Sequence, residues 1–188
     1  MTDQASGPEK NRVARSFGKA AVSYDDVAIL QRDTADEMLE RLDLVKINPQ
    51  HILDLGTGTG RNLHLLQQRY PAARQVAVDI APAMLNQARQ RYLKDQGLRR
   101  WLPGQKSPLF IAGDAEQLPL ADNSVDLVYA NLALQWCDLT SVFAEIQRVL
   151  RPGGLLMFST LGPDTLQELR QSWAAVDNYP HINVFLDM

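Results

Sequence analysis

The chain has 188 residues, 45% of them apolar, and a formal charge of −3 at pH 7. This length fits one domain, and this apolar content excludes a disordered chain. The acidic balance argues against nonspecific nucleic-acid binding as the main activity, and a single cysteine, Cys137, excludes a disulfide framework.

No apolar run approaches the roughly 20 residues that span a bilayer. Residues 1–18 lack the hydrophobic centre of a signal peptide. We therefore expect a cytoplasmic protein with no membrane segment. We expect one domain over residues 1–188, divided into an N-terminal helical lid (1–45), a ligand-binding core (46–161) and the start of a C-terminal part (162–188).

In chain order, apolar residues first recur at helical spacing from Asp25 to Val45, which predicts one helix. Five short apolar runs then predict strands at "HILDL", "RQVAVDI", "LFIAGD", "VDLVYANL" and "LLMFSTL". Helical patterns separate or follow them at "GRNLHLLQQRY", "PAMLNQARQRYLKDQ", "DLTSVFAEIQRVL" and "PDTLQELRQSWAAV", and "RPGG" is expected to end the third of these. This alternation predicts an α/β fold whose doubly wound, mostly parallel sheet carries helices on both faces.

In such sheets, ligands bind outside the carboxyl ends of the strands, where the strand order reverses. The ends of the first four predicted strands carry polar or glycine residues: Asp54–Gly60, Asp79–Ile80, Gly113–Asp114 and Asn131. We expect these four strand ends to converge on one crevice.

The first strand ends in "DLGTGTG", where Gly56, Gly58 and Gly60 permit tight turns and close backbone approach. The dinucleotide fingerprint G-x-G-x-x-G is broken here, because its third glycine falls on Arg61. Taken alone, the loop is weak evidence for a ligand, since glycine loops also serve as plain strand–helix turns.

Asp79 ends the second strand, 23 residues after Gly56. An acidic residue about 20 residues beyond a glycine loop can bind the two hydroxyls of a ribose. This spacing indicates a nucleoside, with a solvated strand-end carboxylate as the alternative.

Asp54 stands two residues before the first glycine of the loop. A phosphate 4 Å away would be repelled by about 4 kcal/mol at an effective dielectric near 20. A ligand with an ammonium group would instead be attracted. S-adenosylmethionine fits this reasoning, because it offers a ribose to Asp79 and an α-amino group to Asp54 and carries no phosphate.

The other strand ends fit the same ligand. Asp114 is predicted to accept the exocyclic amino group of adenine, with the Ala115 backbone beside it. Ile80 and Met84 are predicted to sandwich the adenine ring, although apolar residues after a strand are as often core. Asn131 is expected to face the reacting centre.

Four segments carry a family resemblance: "ILDLGTGTG", "VAVDIAPAML", "GDAEQLPLADNSVDLVYANLALQW" and "VLRPGGLLMFSTLGPDTLQELRQSW". They resemble the motifs of class I S-adenosylmethionine-dependent methyltransferases, which have a Rossmann-like fold. Within that superfamily, "VARSFGKAAVSYDDVAILQRD" and "NLALQWCDL" resemble the malonyl-acyl-carrier-protein O-methyltransferases of biotin synthesis. The similarity runs from about residue 12 to residue 188. Members of that family are longer, with two more strands after the last helix, so we expect the C-terminal strands to be missing from this chain.

The resemblance implies methyl transfer to the free carboxylate of a malonyl thioester, carried by acyl carrier protein or by coenzyme A. A carboxylate with a pKa near 4 is ionised at neutral pH and needs no general base, so positioning is the main catalytic demand. Tyr24, in the predicted lid, is the candidate for a hydrogen bond near the methyl group, and Trp136 is the candidate wall of the substrate pocket. Either side chain can equally be a packing residue. We expect no metal, no nucleic-acid or membrane partner, and a monomer.

A basic cluster occupies residues 89–106, a segment with six Lys and Arg residues and one Asp: Arg89, Arg91, Lys94, Arg99, Arg100 and Lys106, with Asp95. An acyl carrier protein is acidic, so this cluster is a candidate docking site. The helix that contains it, however, runs away from the predicted crevice. A solvated surface is therefore the favoured interpretation.

Three other functions remain open at the level of sequence. The first is a general S-adenosylmethionine-dependent methyltransferase of small molecules, and the second is a module that binds the cofactor without turnover. A nicotinamide dehydrogenase is disfavoured by Asp54 and by the broken fingerprint.

Overall fold

The computed structural model describes residues 9–97 and 106–176. Its centre is a five-stranded sheet in the order β3-β2-β1-β4-β5, with every neighbouring pair parallel. The strands are β1 (His51–Leu55), β2 (Arg74–Asp79), β3 (Leu109–Ala112), β4 (Val125–Asn131) and β5 (Leu150–Ser159).

Seven α-helices accompany the sheet in the part of the chain that is described: α1 (Lys10–Ala20), α2 (Tyr24–Val27), α3 (Ile29–Arg41), α4 (Arg61–Arg69), α5 (Pro82–Gln96), α6 (Leu139–Val149) and α7 (Gln167–Ala174). Short 3-10 turns occupy Leu42–Leu44 and Leu134–Trp136. None of the helices in this part of the chain is both long enough and apolar enough to cross a membrane.

Helix boundaries follow from ordinary capping chemistry. Pro82 starts α5, where its missing N–H has no helical partner to lose. Gly97 ends the same helix with a positive φ of 49°. The Asp138 side chain caps α6 by accepting a hydrogen bond from the backbone N–H of Ser141 at 2.8 Å.

The sheet is buried on both faces, as β4 illustrates. Leu127 and Tyr129 point to one side, into a core cluster with Met38 of α3 and Leu66 of α4. The alternate residues of β4 join a second cluster with α6, which includes Val128, Ala130, Val142, Ile146 and Val149. Helices on both faces of a parallel sheet make the fold doubly wound, and the predicted fold class is confirmed.

The strand order reverses between β1 and β4, which are neighbours in space although β2 follows β1 along the chain. The carboxyl ends of all five strands lie at the same edge of the sheet because the strands are parallel. A ligand crevice is expected outside this edge, and the structure has a cavity there.

The N-terminal region differs from the prediction of one helix over Asp25–Val45. The chain leaves helical geometry at Ala28, with φ −81° and ψ 47°, which separates α2 from α3. A further helix, α1, precedes them and was not predicted. Their packing against the sheet and α5 overrides the continuous helical pattern of the sequence.

Helix α6 ends just before "RPGG", as predicted, but these residues belong to strand β5, which was expected to begin only at Leu155. Strand β5 already begins at Leu150, and its register with β4 shifts between Val125 and Leu127, which is an irregularity of the β-bulge type. Gly153, with φ 79°, supplies the backbone freedom that this irregularity needs. The final helix α7 is shorter than predicted. The sequence "LRRWLPGQKSP" predicts an irregular segment over 98–108, of which 98–105 lie outside the described residues.

Candidate active site

A cavity of about 1090 Å³, counted with the space open to solvent at its mouth, lies at the carboxyl ends of the strands. Most of the predicted site residues line it: Tyr24, Gly56, Gly58, Asp79, Ile80, Met84, Asp114, Ala115, Asn131 and Trp136. The cavity therefore brings together side chains that are up to 112 residues apart in the sequence. Two predicted residues, Asp54 and Gly60, do not line it.

The glycines of the loop after β1 all have positive φ, but their surroundings differ. A Cβ on Gly56 would lie 2.4 Å from the Cβ of Ala133, so this position is required for the β1 and β4 ends to approach. Gly58 lines the cavity, and its backbone N–H donates a hydrogen bond to Asp79 Oδ2 at 2.9 Å.

Gly60 was predicted to bind the cofactor, and the structure places it elsewhere. It caps the N-terminus of α4 in a left-handed conformation. A Cβ there would lie 2.8 Å from the Cα of Ala88 in α5. Helix packing, rather than ligand approach, therefore requires glycine at this position.

Asp54 is also not at the mouth of the loop. Side chains alternate along β1, so Leu53 and Leu55 point towards the α6 side and Asp54 points to the side of α3 and α4. Its side chain is buried, with the whole residue only 1% exposed, and Oδ2 accepts a hydrogen bond from Thr57 Oγ1 at 2.5 Å. Instead of facing the cavity, the carboxylate holds the turn from beneath.

Burial raises the pKa of Asp54 to about 7, against the lowering effect of the Thr57 hydroxyl and with a further raising effect from the Asp79 charge. A carboxyl group with this pKa is partly protonated at neutral pH. The choice of an ammonium ligand depended on a full negative charge at the loop, and burial acts against that charge.

Asp79 is the carboxylate that faces the ligand space. Its Oδ2 accepts from Gly58 N–H at 2.9 Å and its Oδ1 accepts from Ala81 N–H at 2.8 Å. Burial raises its pKa, and these two backbone donors act in the opposite direction. Each oxygen keeps acceptor capacity beyond its one backbone bond, so the fixed carboxylate can accept from hydroxyl groups in the cavity.

At the β3 end, Asp114 is engaged by the N-terminal helix. Its Oδ1 accepts from Lys10 Nζ at 2.5 Å and from Glu116 N–H at 2.9 Å. Lys10 Nζ also pairs with Glu116 Oε1 at 2.7 Å. Burial alone would lower the pKa of Lys10, but its bonds to the two carboxylates outweigh burial and leave that pKa raised. The bonds to Asp114 are all made to Oδ1, which leaves Oδ2 as its available acceptor.

Asn131 lines the cavity, but its amide group is already hydrogen-bonded. The amide nitrogen donates to the backbone oxygen of Gln31 at 2.8 Å, and the amide oxygen accepts from Ser159 Oγ at 2.8 Å. These bonds connect β4 to α3 and β5. They support a structural role at the reacting end, in addition to the predicted role of facing the ligand.

Aromatic rings form the wall between the N-terminal region and β4. Phe17 packs edge-to-face on Trp136, with ring centroids 5.4 Å apart, and on Tyr24, with centroids 6.2 Å apart. Burial, with smaller contributions from the charges of Asp79 and Asp25, raises the pKa of Tyr24. The Tyr24 hydroxyl is therefore protonated at neutral pH and can donate a hydrogen bond into the cavity.

A second polar contact fastens the N-terminal region at the back of the glycine loop. Asp25 Oδ1 accepts from Thr59 Oγ1 at 2.7 Å, and Asp25 Oδ2 pairs with Arg91 Nη2. One member of the basic cluster is thus an internal ion-pair partner. Lys106 Nζ donates to the Ala72 backbone oxygen at 2.6 Å, while Arg99 and Arg100 lie outside the described residues.

Lys10 and Phe17 are among the cavity residues that the sequence reasoning missed. A signal for them exists: Val13, Phe17 and Ala21 recur at helical spacing before the helix that was predicted. The partners of Lys10 are 104 and 106 residues away, and no local pattern identifies them.

Among the described residues, Lys10 is the only cationic side chain that lines the cavity, and no arginine does. The same part of the chain contains no group of three or more His, Cys, Asp or Glu that could hold a metal ion. Cys137 lines the cavity as well, and burial raises the pKa of its thiol to about 12, so it is not a thiolate nucleophile at neutral pH.

The names of similar proteins describe an enzymatic activity. The malonyl-[acyl-carrier protein] O-methyltransferase of Laribacter hongkongensis is 49% identical over 96% of this chain and 60% of its own length. The enzyme of that name from Nitrosospira multiformis is 48% identical over 96% of this chain and 61% of its own length. The chain thus spans about 60% of the length of these curated relatives.

A solved structure with a similar fold is the S-adenosylmethionine-dependent methyltransferase of Mesorhizobium loti, with a TM-score of 0.55 and 27% identity over 71% of this chain and 56% of that one. A methyltransferase of Aquifex aeolicus gives a TM-score of 0.62 over 78% of this chain and 73% of that one, and at 22% identity it supports the fold alone. A family model described as "Methyltransferase domain" matches residues 53–158, from β1 through β5. The chain therefore belongs to the methyltransferase domain family.

Proposed function

We propose that the protein binds S-adenosylmethionine in the cavity and transfers its methyl group to the free carboxylate of a malonyl thioester on acyl carrier protein. The observation that carries the cofactor assignment is Asp79, whose two oxygens are fixed by backbone N–H groups beside the glycine loop. The names of the relatives carry the substrate assignment.

The described residues fit an adenosine group. Asp79 offers carboxylate oxygens for the ribose hydroxyls, and Asp114 Oδ2 offers an acceptor for the adenine amino group. Ile80 and Met84, with Ala115 nearby, supply apolar and backbone surface for the ring. Asp54 does not fit the α-amino group, because it is buried away from the cavity, so this proposal assigns no side chain to that group.

When bound, the cofactor supplies an electrophilic methyl group on a sulfonium centre. A malonyl carboxylate is already ionised at neutral pH, so the residues of the site need not remove a proton. Their task is to orient the two reactants and exclude water, which in favourable cases contributes roughly 7–11 kcal/mol. Phe17 and Trp136 provide apolar walls for this purpose, and Tyr24 provides a hydroxyl donor for an oxygen of the substrate.

In the same proposal the N-terminal region, residues 9–45, serves as the lid of the site, and residues 46–161 form the cofactor-binding core. Lys10, Phe17 and Tyr24 support this division, because they line the cavity from the N-terminal side. The proposal also has the protein acting in the cytoplasm as a monomer, with malonyl-coenzyme A as the alternative carrier and no nucleic-acid or membrane partner.

Two measurements test this function. Labelled methyl groups from S-adenosylmethionine should appear on malonyl-acyl carrier protein and not on a fatty acyl-carrier protein. Equal labelling of unrelated small acids would favour a general small-molecule methyltransferase. Calorimetry should detect binding of S-adenosylhomocysteine. Asp79→Asn should weaken that binding about 30-fold, which corresponds to the loss of roughly 2 kcal/mol of charge-assisted hydrogen bonding. Binding without any turnover would indicate a silent cofactor-binding module.

A further inference from the structure

Helix α1 has two faces of different chemistry. Lys10, Val13 and Phe17 line the cavity with one face. At 100° per residue, Arg12, Arg15 and Lys19 fall on the opposite side of the helix, and all three are exposed. The helix contains no acidic residue, although the whole chain is acidic with a formal charge of −3.

The three outward cations lack ion-pair partners in the described part of the chain. None of them forms an ion pair with a described residue, and Arg15 Nε donates only to the backbone oxygen of Asn11, one turn away. In contrast, Lys10 on the inner face pairs with two carboxylates. Folding therefore explains the charge on the inner face of α1 and leaves the charge on the outer face unexplained.

Exposed apolar side chains follow this helix directly along the chain. Val22 is 85% exposed and Val27 is 76% exposed, and Ile29 and Leu30 are more than half exposed. Leu30 also lines the cavity, so the apolar residues reach its rim. Apolar side chains beside a charged border are the usual composition of a protein-binding surface.

We infer that the outer face of α1, formed by Arg12, Arg15 and Lys19 with the neighbouring apolar residues, is the docking surface for an acidic carrier protein that delivers its thioester arm to the cavity. This inference rests on the proposed function, because the carrier is its substrate. Charge complementarity identifies the partner: a stripe of three cations fits an acidic helix and raises the rate of encounter.

The basic cluster at 89–106 fits this role less well. Helix α5 begins beside the cavity, at Pro82, and runs away from it. Arg91 is paired with Asp25, and Lys106 is bonded to a backbone oxygen. Lys94, close to the far end of α5, is exposed but distant from the rim. The carrier arm needs a docking site beside the cavity, and α1 provides one.

The test compares two charge-reversed proteins. One carries R12E, R15E and K19E on α1, and glutamate keeps the helix propensity of these positions. The control carries K46E, R74E and K94E, three exposed cations away from the rim of the cavity, and thus has the same net charge. Fluorescence anisotropy of labelled malonyl-acyl carrier protein gives the affinity, and methylation of malonyl-pantetheine, which lacks the carrier protein, reports on the cavity alone.

The α1 variant should bind the carrier on the order of tenfold more weakly at 0.1 M salt, with the difference shrinking at 0.5 M as the charges are screened. Methylation of malonyl-pantetheine and binding of S-adenosylhomocysteine should not change. An equal loss in the control variant, or an unchanged affinity in the α1 variant, would overturn the docking surface. If the wild-type chain methylates nothing but binds the carrier through α1, the proposed function fails and the surface stands.

Discussion

Two regions enclose the cavity, and they are built in opposite ways. The loop Gly56–Gly60 is held mainly by main-chain geometry: positive φ angles, close backbone approach and the Gly58 N–H directed at a carboxylate. The N-terminal region, residues 9–45, is held over the cavity largely by side chains, through the ion pairs of Lys10 and Asp25 and the ring contacts of Phe17. The first region tolerates few substitutions, whereas the second can be loosened one contact at a time.

The difference predicts which changes destroy the fold and which change only the site. A turn whose backbone leaves no room for a Cβ must change its whole conformation when a side chain is added. Partly exposed ion pairs such as that of Lys10 and Asp114 contribute about 1 kcal/mol or less each, and their loss leaves the sheet intact. Variants in the two regions should therefore separate effects on stability from effects on ligand binding.

The largest effect is expected for Gly56→Ala. The new Cβ would meet the Ala133 Cβ at 2.4 Å in a backbone with φ 69°. Left-handed strain of about 1–2 kcal/mol and overpacking of about 1–3 kcal/mol add to a loss of roughly 2–5 kcal/mol in the free energy of unfolding. Urea denaturation monitored by circular dichroism measures it.

Gly153→Ala is the matched control for this variant. Its φ is 79°, but no atom lies within 4 Å of the added Cβ, so only the strain should remain. The double variant Gly56→Ala with Ala133→Gly should recover part of the loss, because it removes the methyl group that clashes. Equal destabilisation in Gly56→Ala and Gly153→Ala would show that close approach between the β1 and β4 ends is not the reason for the glycine.

The second effect concerns Asp54 beneath the loop, and it depends on pH. The pKa of Asp54 is about 7 in the folded protein and 3.8 in an ordinary environment. The folded state therefore holds a proton that the unfolded chain releases, and this contribution to stability is lost as the pH rises from about 4 through 7. Asp54→Asn cannot titrate. Between pH 4 and pH 8 the stability of the wild type should fall relative to Asp54→Asn by roughly 4 kcal/mol, at about 1.4 kcal/mol per unit of pKa difference.

Thermal or urea unfolding at several pH values measures this change. Thr57→Val sharpens the test, since it removes the hydroxyl group that lowers the pKa of Asp54 and should enlarge the total fall in stability between pH 4 and pH 8. If the two curves of wild type and Asp54→Asn stay parallel from pH 4 to pH 8, Asp54 is ionised throughout and the assignment of its proton is wrong.

The same contrast explains how far the sequence could lead. The strands, the helices α4 to α6 and the converging strand ends follow from local periodicity and capping, and these predictions are confirmed by the fold. Asp54 was expected at the mouth of the loop because the prediction used only its spacing from the first glycine. That spacing does not take into account that side chains alternate along β1, so that Leu55 points to one face of the sheet and Asp54 to the other. Lys10 was missed because its partners lie more than 100 residues away, and only the folded chain brings opposite charges together.

The smallest effect is expected for Lys10→Met, which opens one contact of the N-terminal region. Lys10 holds Oδ1 of Asp114 and leaves Oδ2 for the adenine amino group in the proposed complex. Loss of this orientation should weaken binding of S-adenosylhomocysteine about fivefold, close to 1 kcal/mol. Calorimetry with S-adenosylhomocysteine and with S-inosylhomocysteine, whose ring carries an oxygen in place of the amino group, gives the ratio of the two affinities.

The ratio separates orientation of Asp114 from general loosening of α1. If Lys10 orients the carboxylate, Lys10→Met should lower the preference for the adenine compound, and Lys10→Arg should restore part of it. Lys19→Met, a change of the same kind on the exposed end of α1, should leave the ratio unchanged. If Lys10→Met weakens the binding of both ligands equally, Lys10 only anchors α1. The contrast between the glycine loop and the N-terminal region would then apply to stability alone.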